Sequence, residues 1–459
     1  MTALSAPTSI QPTARDLLSR IAALAAPTAV LSLLQVGVQL AETVLASRQG
    51  RAALAAWAVL LPFNLLMQQM STGAMGGGVV SAVARALGAG RRDEAAALVT
   101  HALIIASLFG LLFALCVPLG APALLGAVAG PESVAQGVSY ALAVFGVGGL
   151  ASWWGNTLAS VLRGGGQHGL VARVLVITSL ATPALAWALA EGVGLGLAGI
   201  GLAFALMSWA SALVMAVLVR RGAAGFMPRW RLRPSWTMFS RILAVGAIAS
   251  ALALLANLST LLVTAQLRHF GPAMVAAYGV AARLEFLVVP VSFGVGSALT
   301  ALVGRTVGEG DWPTARRIAW LGGLLSLAVT GALGLGVALW PLHFAGWFTT
   351  DAEVAKLAAS ALGYTGLAFG GFGMGMAMYF ASLGAGRMGA PVAGGIARLS
   401  VAVLGGWLLA DVAGLGARGN FMAVALALVA YGVINAAGVR APAWSARLPL
   451  ATRKASASA

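Results

Sequence analysis

The chain has 459 residues, 60% hydrophobic and 9% charged, with a mean hydropathy of +0.93 and a formal net charge of +16. Soluble domains carry about 25% charged residues, so the composition excludes a soluble globular protein and describes an integral membrane protein. The charge excess is almost wholly arginine, set in short stretches between apolar runs as in cytoplasmic loops; that placement argues against nucleic acid as a partner, and the single cysteine, Cys116, rules out an internal disulfide or a thiol metal cluster.

Twelve apolar spans are predicted, at about 21–46, 53–82, 95–119, 134–162, 170–191, 195–219, 240–267, 272–303, 314–343, 352–382, 388–410 and 417–439. The first 20 residues are polar and contain proline, so no signal peptide is expected there. In the first span, Thr28, Ser32, Gln35, Gln39 and Glu42 follow at steps of 4, 3, 4 and 3 and share one helix face. An acid inside a membrane-length helix costs about 2.5–3.5 kcal/mol at the bilayer centre on insertion scales, so the stripe must face protein or a wet cavity. It is either a packing stripe or an ion-binding one, with Glu42 binding a cation or a proton and Gln35 and Gln39 bonding either protonation state. Pro27 removes a backbone donor in the same helix and is either a hinge or an ordinary membrane-helix proline.

Arginines favour alternate connections: Arg85, Arg91 and Arg92; Arg163; Arg220, Arg221, Arg229, Arg231 and Arg233; Arg305, Arg316 and Arg317; Arg387; and the tail's Arg440, Arg447 and Arg453 with Lys454. The opposite connections hold Glu132, Glu191, Asp351, Glu353 and Asp411, with fewer arginines. Both termini are therefore expected in the cytoplasm. Asp93 and Asp311 are expected to cap the third and ninth helices. Trp153, Trp154, Trp340 and Trp347 read as interfacial belt residues.

The chain repeats itself. L-A-A-W-A-V at 54–59 matches V-A-A-Y-G-V at 275–280, R-A-L-G-A-G at 85–90 matches R-T-V-G-E-G at 305–310, and L-A-E-G-V-G-L-G-L-A-G at 189–199 matches L-A-D-V-A-G-L-G-A-R-G at 409–419. The offset stays at 220 or 221 throughout. Six spans per half is an even number, so both halves enter the membrane in one orientation. The expected fold is an all-α membrane protein of twelve transmembrane helices in two six-helix bundles related by a parallel pseudo-two-fold repeat. Its parts are an N-terminal bundle at 1–220, a cytoplasmic linker at 221–238, a C-terminal bundle at 239–440 and a cytoplasmic tail at 441–459. Trp57 and Tyr278, as repeat mates, are candidates for the interface of the halves.

Two parallel halves around an interface make a transporter architecture. The G-A-G-R-R-D-E-A loop after the second span, its G-E-G-D-W-P-T-A counterpart, and A-A-Y-G-V-A-A-R-L-E followed by Pro290 resemble the MATE (multidrug and toxic compound extrusion) family of the MOP flippase superfamily over nearly the whole chain. Pro27, Gln35 and Glu42 stand at the spacing of the proline, glutamine and aspartate on the first helix of that family's DinF-like branch. The resemblance implies an ion-coupling role for Glu42. The sequence departs from the branch on the fifth helix, where Thr182 and Ala186 stand at the positions of an Asn–Asp pair and Thr178 and Thr182 keep its spacing without supplying an acid, and the seventh helix offers only the neutral Ser250, Asn257, Thr260 and Thr264.

Other polar groups inside spans are Asn64, Gln68 and Gln69, Asn156, and the charged Arg283, Glu285 and Arg398. Asn64, Gln68 and Asn156 either line a cavity of the first half or join helices by hydrogen bonds. Arg283 and Glu285, two apart, point in different directions; Arg398 is available to Glu285, as a structural pair or as part of a substrate or ion site. His101, His168, His269 and His343 are scattered, so no metal site and no cofactor is expected. The expected activity, from the repeat, the first-helix acid and the resemblance, is secondary active efflux of small, cationic, amphipathic organic compounds. It would run by cation-coupled antiport with alternating access, with protons favoured over Na⁺, from a monomer in the plasma membrane. The alternatives are a flippase for lipid-linked oligosaccharides, which would need more cavity cations, and an intramembrane enzyme, for which no catalytic cluster is found.

Overall fold

A computed structural model of the chain describes residues 12–229, 234–442 and 444–445. Arg231 and Arg233 of the linker and Arg447, Arg453 and Lys454 of the tail lie outside them. Among the described residues, twelve helices are long and apolar enough to cross a membrane. They are α1 (Ala14–Arg48), α2 (Arg51–Gly88), α3 (Arg92–Val128), α4 (Pro131–Gly164), α5 (His168–Gly192), α6 (Gly196–Arg220), α7 (Trp236–Phe270), α8 (Pro272–Gly308), α9 (Trp312–Leu339), α10 (Ala352–Ala385), α11 (Gly389–Val412) and α12 (Ala417–Arg440). Each overlaps one predicted span.

Helix starts follow local chemistry. Thr13 and Asp16 form a capping box at α1. Asp311 accepts from the Thr314 amide at 3.0 Å, with Pro313 in the first turn of α9. Asp93 differs from the expectation: the residue before α3 is Arg91, and Asp93 sits inside the first turn, exposed and 2.8 Å from Arg229. An acid there still favours the helix dipole, but it caps nothing.

The two halves repeat in detail. Gly194 and Gly196 between α5 and α6 turn with φ of 81° and 56°, and Gly414 and Gly416 between α11 and α12 with 72° and 58°. This left-handed backbone suits glycine. Gly199 lies on the backbone of Leu189 and Ala190, as Gly419 does on Leu409 and Ala410. The change of offset also has a structural cause. Trp57 and Tyr278 are 221 apart, whereas Gly88 and Gly308 are 220 apart. Between them α2 contains the π-turn Gln69–Ala74, whereas α8 is a continuous α-helix that carries Pro290 at the equivalent place. A π-turn adds one residue, which is the residue α8 lacks. Both are devices that bend a helix.

Each half starts against the other. Leu17, Ile21 and Ala25 at the beginning of α1 share a core with Val295 and Leu299 of α8 and Met378 of α10. Val245 and Ala249 of α7 pack with Ala74 of α2. The pseudo-two-fold axis passes where α2 meets α8: Gly88 lies against the Arg305 carbonyl and Gly308 against the Arg85 carbonyl. Toward its other end, the Arg51–Gln68 stretch of α2 packs on α1, α3 and α4 of its own half. The halves thus converge at the arginine-rich ends of α2 and α8 and part toward the opposite ends. Gly308→Val is expected to lower the thermal stability of the detergent-solubilised protein by about 1–3 kcal/mol through overpacking. Gly336→Ala, with open space around it, is the control, and equal melting temperatures for both variants would refute the close crossing.

Tryptophan placement corrects the sequence reading in part. Trp340 and Trp347 are exposed, as expected for belt residues. Trp153 is fully buried and stacks on Phe109, centroids 5.1 Å apart, and the Trp154 indole donates to Ser107 at 2.9 Å. Trp57 and Tyr278 are buried in the cores of their own halves and not at the interface. An indole serves a belt or a core equally well, and burial is decided by which helix face meets a neighbour.

Candidate functional site

Two groups of the predicted site residues are assembled by the fold, one in each half, and α2 joins them. In the N-terminal half, α1 packs on α5 and α8. Its polar stripe runs from exposed Gln35 through half-buried Gln39 to Glu42, which is 8% exposed. Thr28 and Ser32 turn inward on the helix, the Ser32 hydroxyl donating to the Thr28 carbonyl at 3.0 Å. Among the described residues no hydrogen bond or ion pair reaches the Glu42 carboxyl; Tyr140 of α4 is its electrostatic neighbour. A carboxyl withdrawn from water with no fixed partner is costly to keep ionised, so it is a natural place for an exchangeable proton or cation. Pro27 lies within α1, which remains helical through it.

The π-turn of α2 is a polar hub. Asn156 of α4 donates to Gln68 at 2.9 Å and to Ser71 at 2.8 Å. Asn257 of α7 donates to Gln69 at 3.3 Å, a bond between the two halves. Gln68, just before the π-turn, thus bonds within its own half, and Gln69, its first residue, bonds to the other half. Asn64 is buried with its side-chain oxygen unpaired. Thr178 and Thr182 donate to carbonyls of their own helix and join no network.

The C-terminal half encloses a cavity of about 180 Å³ bordered by α2, α7, α8, α10, α11 and α12. Glu285 of α8 and Arg398 of α11 meet on its wall, Arg398 Nη2 to Glu285 Oε1 2.5 Å, with side chains 15% and 16% exposed. The Arg398 guanidinium lies 4.9 Å above the Phe372 ring. Asn257 and Thr260 also face this cavity; Arg283, Asn64, Gln68, Asn156, Thr178 and Thr182 do not. Arg283 is exposed on α8 and forms no ion pair among the described residues. Reading the sequence missed the aromatic part of the wall, Phe293, Phe372, Tyr379, Phe380 and Tyr431. Their spacing is that of ordinary apolar helix faces, and only the packing of three helices brings them together. Among the described residues no cluster of His, Cys, Asp and Glu could hold a metal ion.

The MatE sequence family matches residues 27–188 and again 248–408, two stretches that begin 221 and end 220 residues apart. The chain belongs to the MatE family. MATE proteins are membrane transporters, which removes the intramembrane-enzyme alternative. Over 353 residues the chain is 31% identical to a probable multidrug resistance protein NorM of Deinococcus radiodurans, covering 72% of each chain. It is 30% identical over 174 residues to a probable multidrug resistance protein NorM of Idiomarina loihiensis, where the match spans 37% of each chain. The fold is that of the Vibrio cholerae MATE transporter VcmN in its bent form, with a TM-score of 0.85 at 22% identity over 95% of this chain and 98% of that one. The MATE fold thus carries the parallel repeat read from the sequence.

Proposed function

We propose that this MATE protein is a secondary active exporter of small, amphipathic organic cations, coupled to inward movement of a proton through Glu42. The observation that carries the reading is the buried Glu42 carboxyl, without a hydrogen bond or ion pair among the described residues, on a helix packed against both halves. Alternating access needs a group whose charge state can be coupled to the packing of the halves. The C-half cavity supports the substrate class. Its wall is largely aromatic and apolar with one ion pair, and a cationic substrate can replace Arg398 on Glu285 while stacking on the rings. A Na⁺-coupled exporter is the second reading, favoured by the neutral oxygens of Gln35 and Gln39 beside the acid, since hard cations take oxygen ligands.

Purified protein in proteoliposomes, given a fluorescent organic cation and an imposed proton gradient, is expected to accumulate or expel the dye only while the gradient lasts. Transport that ignores the proton gradient and follows Na⁺ at fixed pH would replace proton by Na⁺. Translocation of a lipid-linked sugar with no cation transport would establish the flippase instead.

The orientation belongs to the same proposal: both termini and the 221–238 linker in the cytoplasm of a plasma-membrane protein that works as a monomer. With the arginine-rich ends inward, the parting of the halves toward their other ends supports an outward-facing arrangement. In a Cys116→Ser background, an impermeant maleimide is expected to label Asp351→Cys in intact cells and Ala223→Cys only after the membrane is permeabilised. Labelling of position 223 from outside would overturn the topology.

A further inference from the structure

A second cavity, of about 340 Å³, lies where the arginine-rich ends of the two halves meet. Its wall takes Arg85 from α2, Arg91 from the α2–α3 turn, Glu94 from α3, Arg241 from α7, and Val307 and Gly308 from α8. Three arginines therefore face one carboxylate. Glu94 is already used: it is ion-paired with Arg241 and, at 3.3 Å, with Arg91. Arg85 has no ion pair or hydrogen bond among the described residues, and its electrostatic neighbours are Arg241, Arg387 and Arg91. Arg387 is otherwise engaged, donating to the Ser445 carbonyl at 3.0 Å and lying 5.2 Å from the Trp312 ring centre.

The repeat sharpens the anomaly. Arg305, the mate of Arg85, is paired with Glu309 one turn on, at 3.4 Å. The residue equivalent to Glu309 is Ala89. The half that builds the cavity thus lacks the carboxylate that its mate carries. A partly buried guanidinium beside like charges, an open space and a carboxylate already paired with two other arginines is the arrangement expected around an oxyanion, because arginine's planar fork matches phosphate oxygens and its charge is permanent.

We infer that this cavity binds a phosphate-type oxyanion, either a free phosphate group or the headgroup of an anionic lipid, and that the bound anion holds the two halves together at this end. The wall comes from both halves, so the site exists only while they are closed here. A ligand that binds one arrangement and not the other shifts the population toward it by mass action. The anion would therefore favour the state seen in this structure and slow its reversal. The inference is independent of what the transporter carries.

The experiment is thermal unfolding of the purified full chain in a neutral detergent, in two arms. One adds inorganic phosphate against chloride at matched ionic strength; the other adds phosphatidylglycerol against phosphatidylcholine. The wild type is expected to gain at least about 2 °C in one arm at saturation, and that arm identifies the source of the anion. Arg85→Gln is expected to lose most of the gain, while Arg305→Gln, which removes the same charge from the self-paired mate, keeps it. Ala89→Glu, which gives Arg85 the carboxylate its mate has, is expected to abolish the gain without deleting an arginine, and so serves if Arg85→Gln does not fold. No anion-specific gain in either arm, or an equal gain in Ala89→Glu and the wild type, would overturn the site and leave a solvated arginine cluster only.

Discussion

Glu42→Gln is expected to fold normally and to lose gradient-driven transport by at least about tenfold. Glutamine keeps the size and hydrogen-bonding capacity of the side chain but can neither cycle a proton nor present a charge to a cation. Because Glu42 has no ion-pair partner among the described residues, its neutralisation strands no charge there, and removing an uncompensated carboxyl is neutral to stabilising. The melting temperature should therefore hold or rise while transport falls, a split that a packing residue would not show. Glu42→Asp is expected to retain part of the rate, since the carboxyl survives and only its reach shortens. Initial rates of dye transport in proteoliposomes, normalised to folded protein, measure both. If Glu42→Gln transports at the wild-type rate under the same gradient, Glu42 is a packing residue and the coupling site must be sought around Glu285.

The other large effect is expected at Arg398. Arg398→Ala removes one partner of an ion pair whose side chains are 16% and 15% exposed and leaves Glu285 on the cavity wall without it. Breaking a buried pair from one side costs about 3–5 kcal/mol, and the contact with Phe372 is lost as well. The double variant Glu285→Gln with Arg398→Met removes both charges and keeps the volume, so most of the stability should return. Thermal unfolding of the two single variants and the double one forms a mutant cycle that isolates the coupling; additive losses would show that the pair contributes nothing as a pair. Glu285→Gln then separates structure from transport. A purely structural acid loses stability with normal transport per folded molecule, whereas an acid used by substrate or ion keeps its fold and loses transport. A variant normal in both would remove Glu285 from either role.

The Glu285–Arg398 pairing was legible because two charges at similar depth in membrane helices must find partners, and few are available. The Gln68–Asn156 bond was legible only as one of two uses of those amides. The Gln69–Asn257 bond between the halves was not, because it depends on how α2 and α7 of the two halves pack. Trp153 was misread for a related reason: sequence gives its approximate depth in the membrane and not the face it presents.

Sequence alone determined the number of spans, the repeat and its parallel sense, and the acid at the end of the α1 stripe. Each follows from patterns that are local or that recur at a fixed offset: apolar length, arginine placement, a 220–221 residue spacing. Tertiary structure decided that α1 and α7 begin against the opposite half, that Gly88 and Gly308 cross at the axis, and that one cavity sits among the helices of the C-terminal half. It also decided that Arg85 has three arginines as electrostatic neighbours and no ion pair among the described residues. These are relations between residues as many as 300 positions apart, and no periodicity of a single helix encodes them. They are set when apolar surfaces and small residues choose which helix faces fit together.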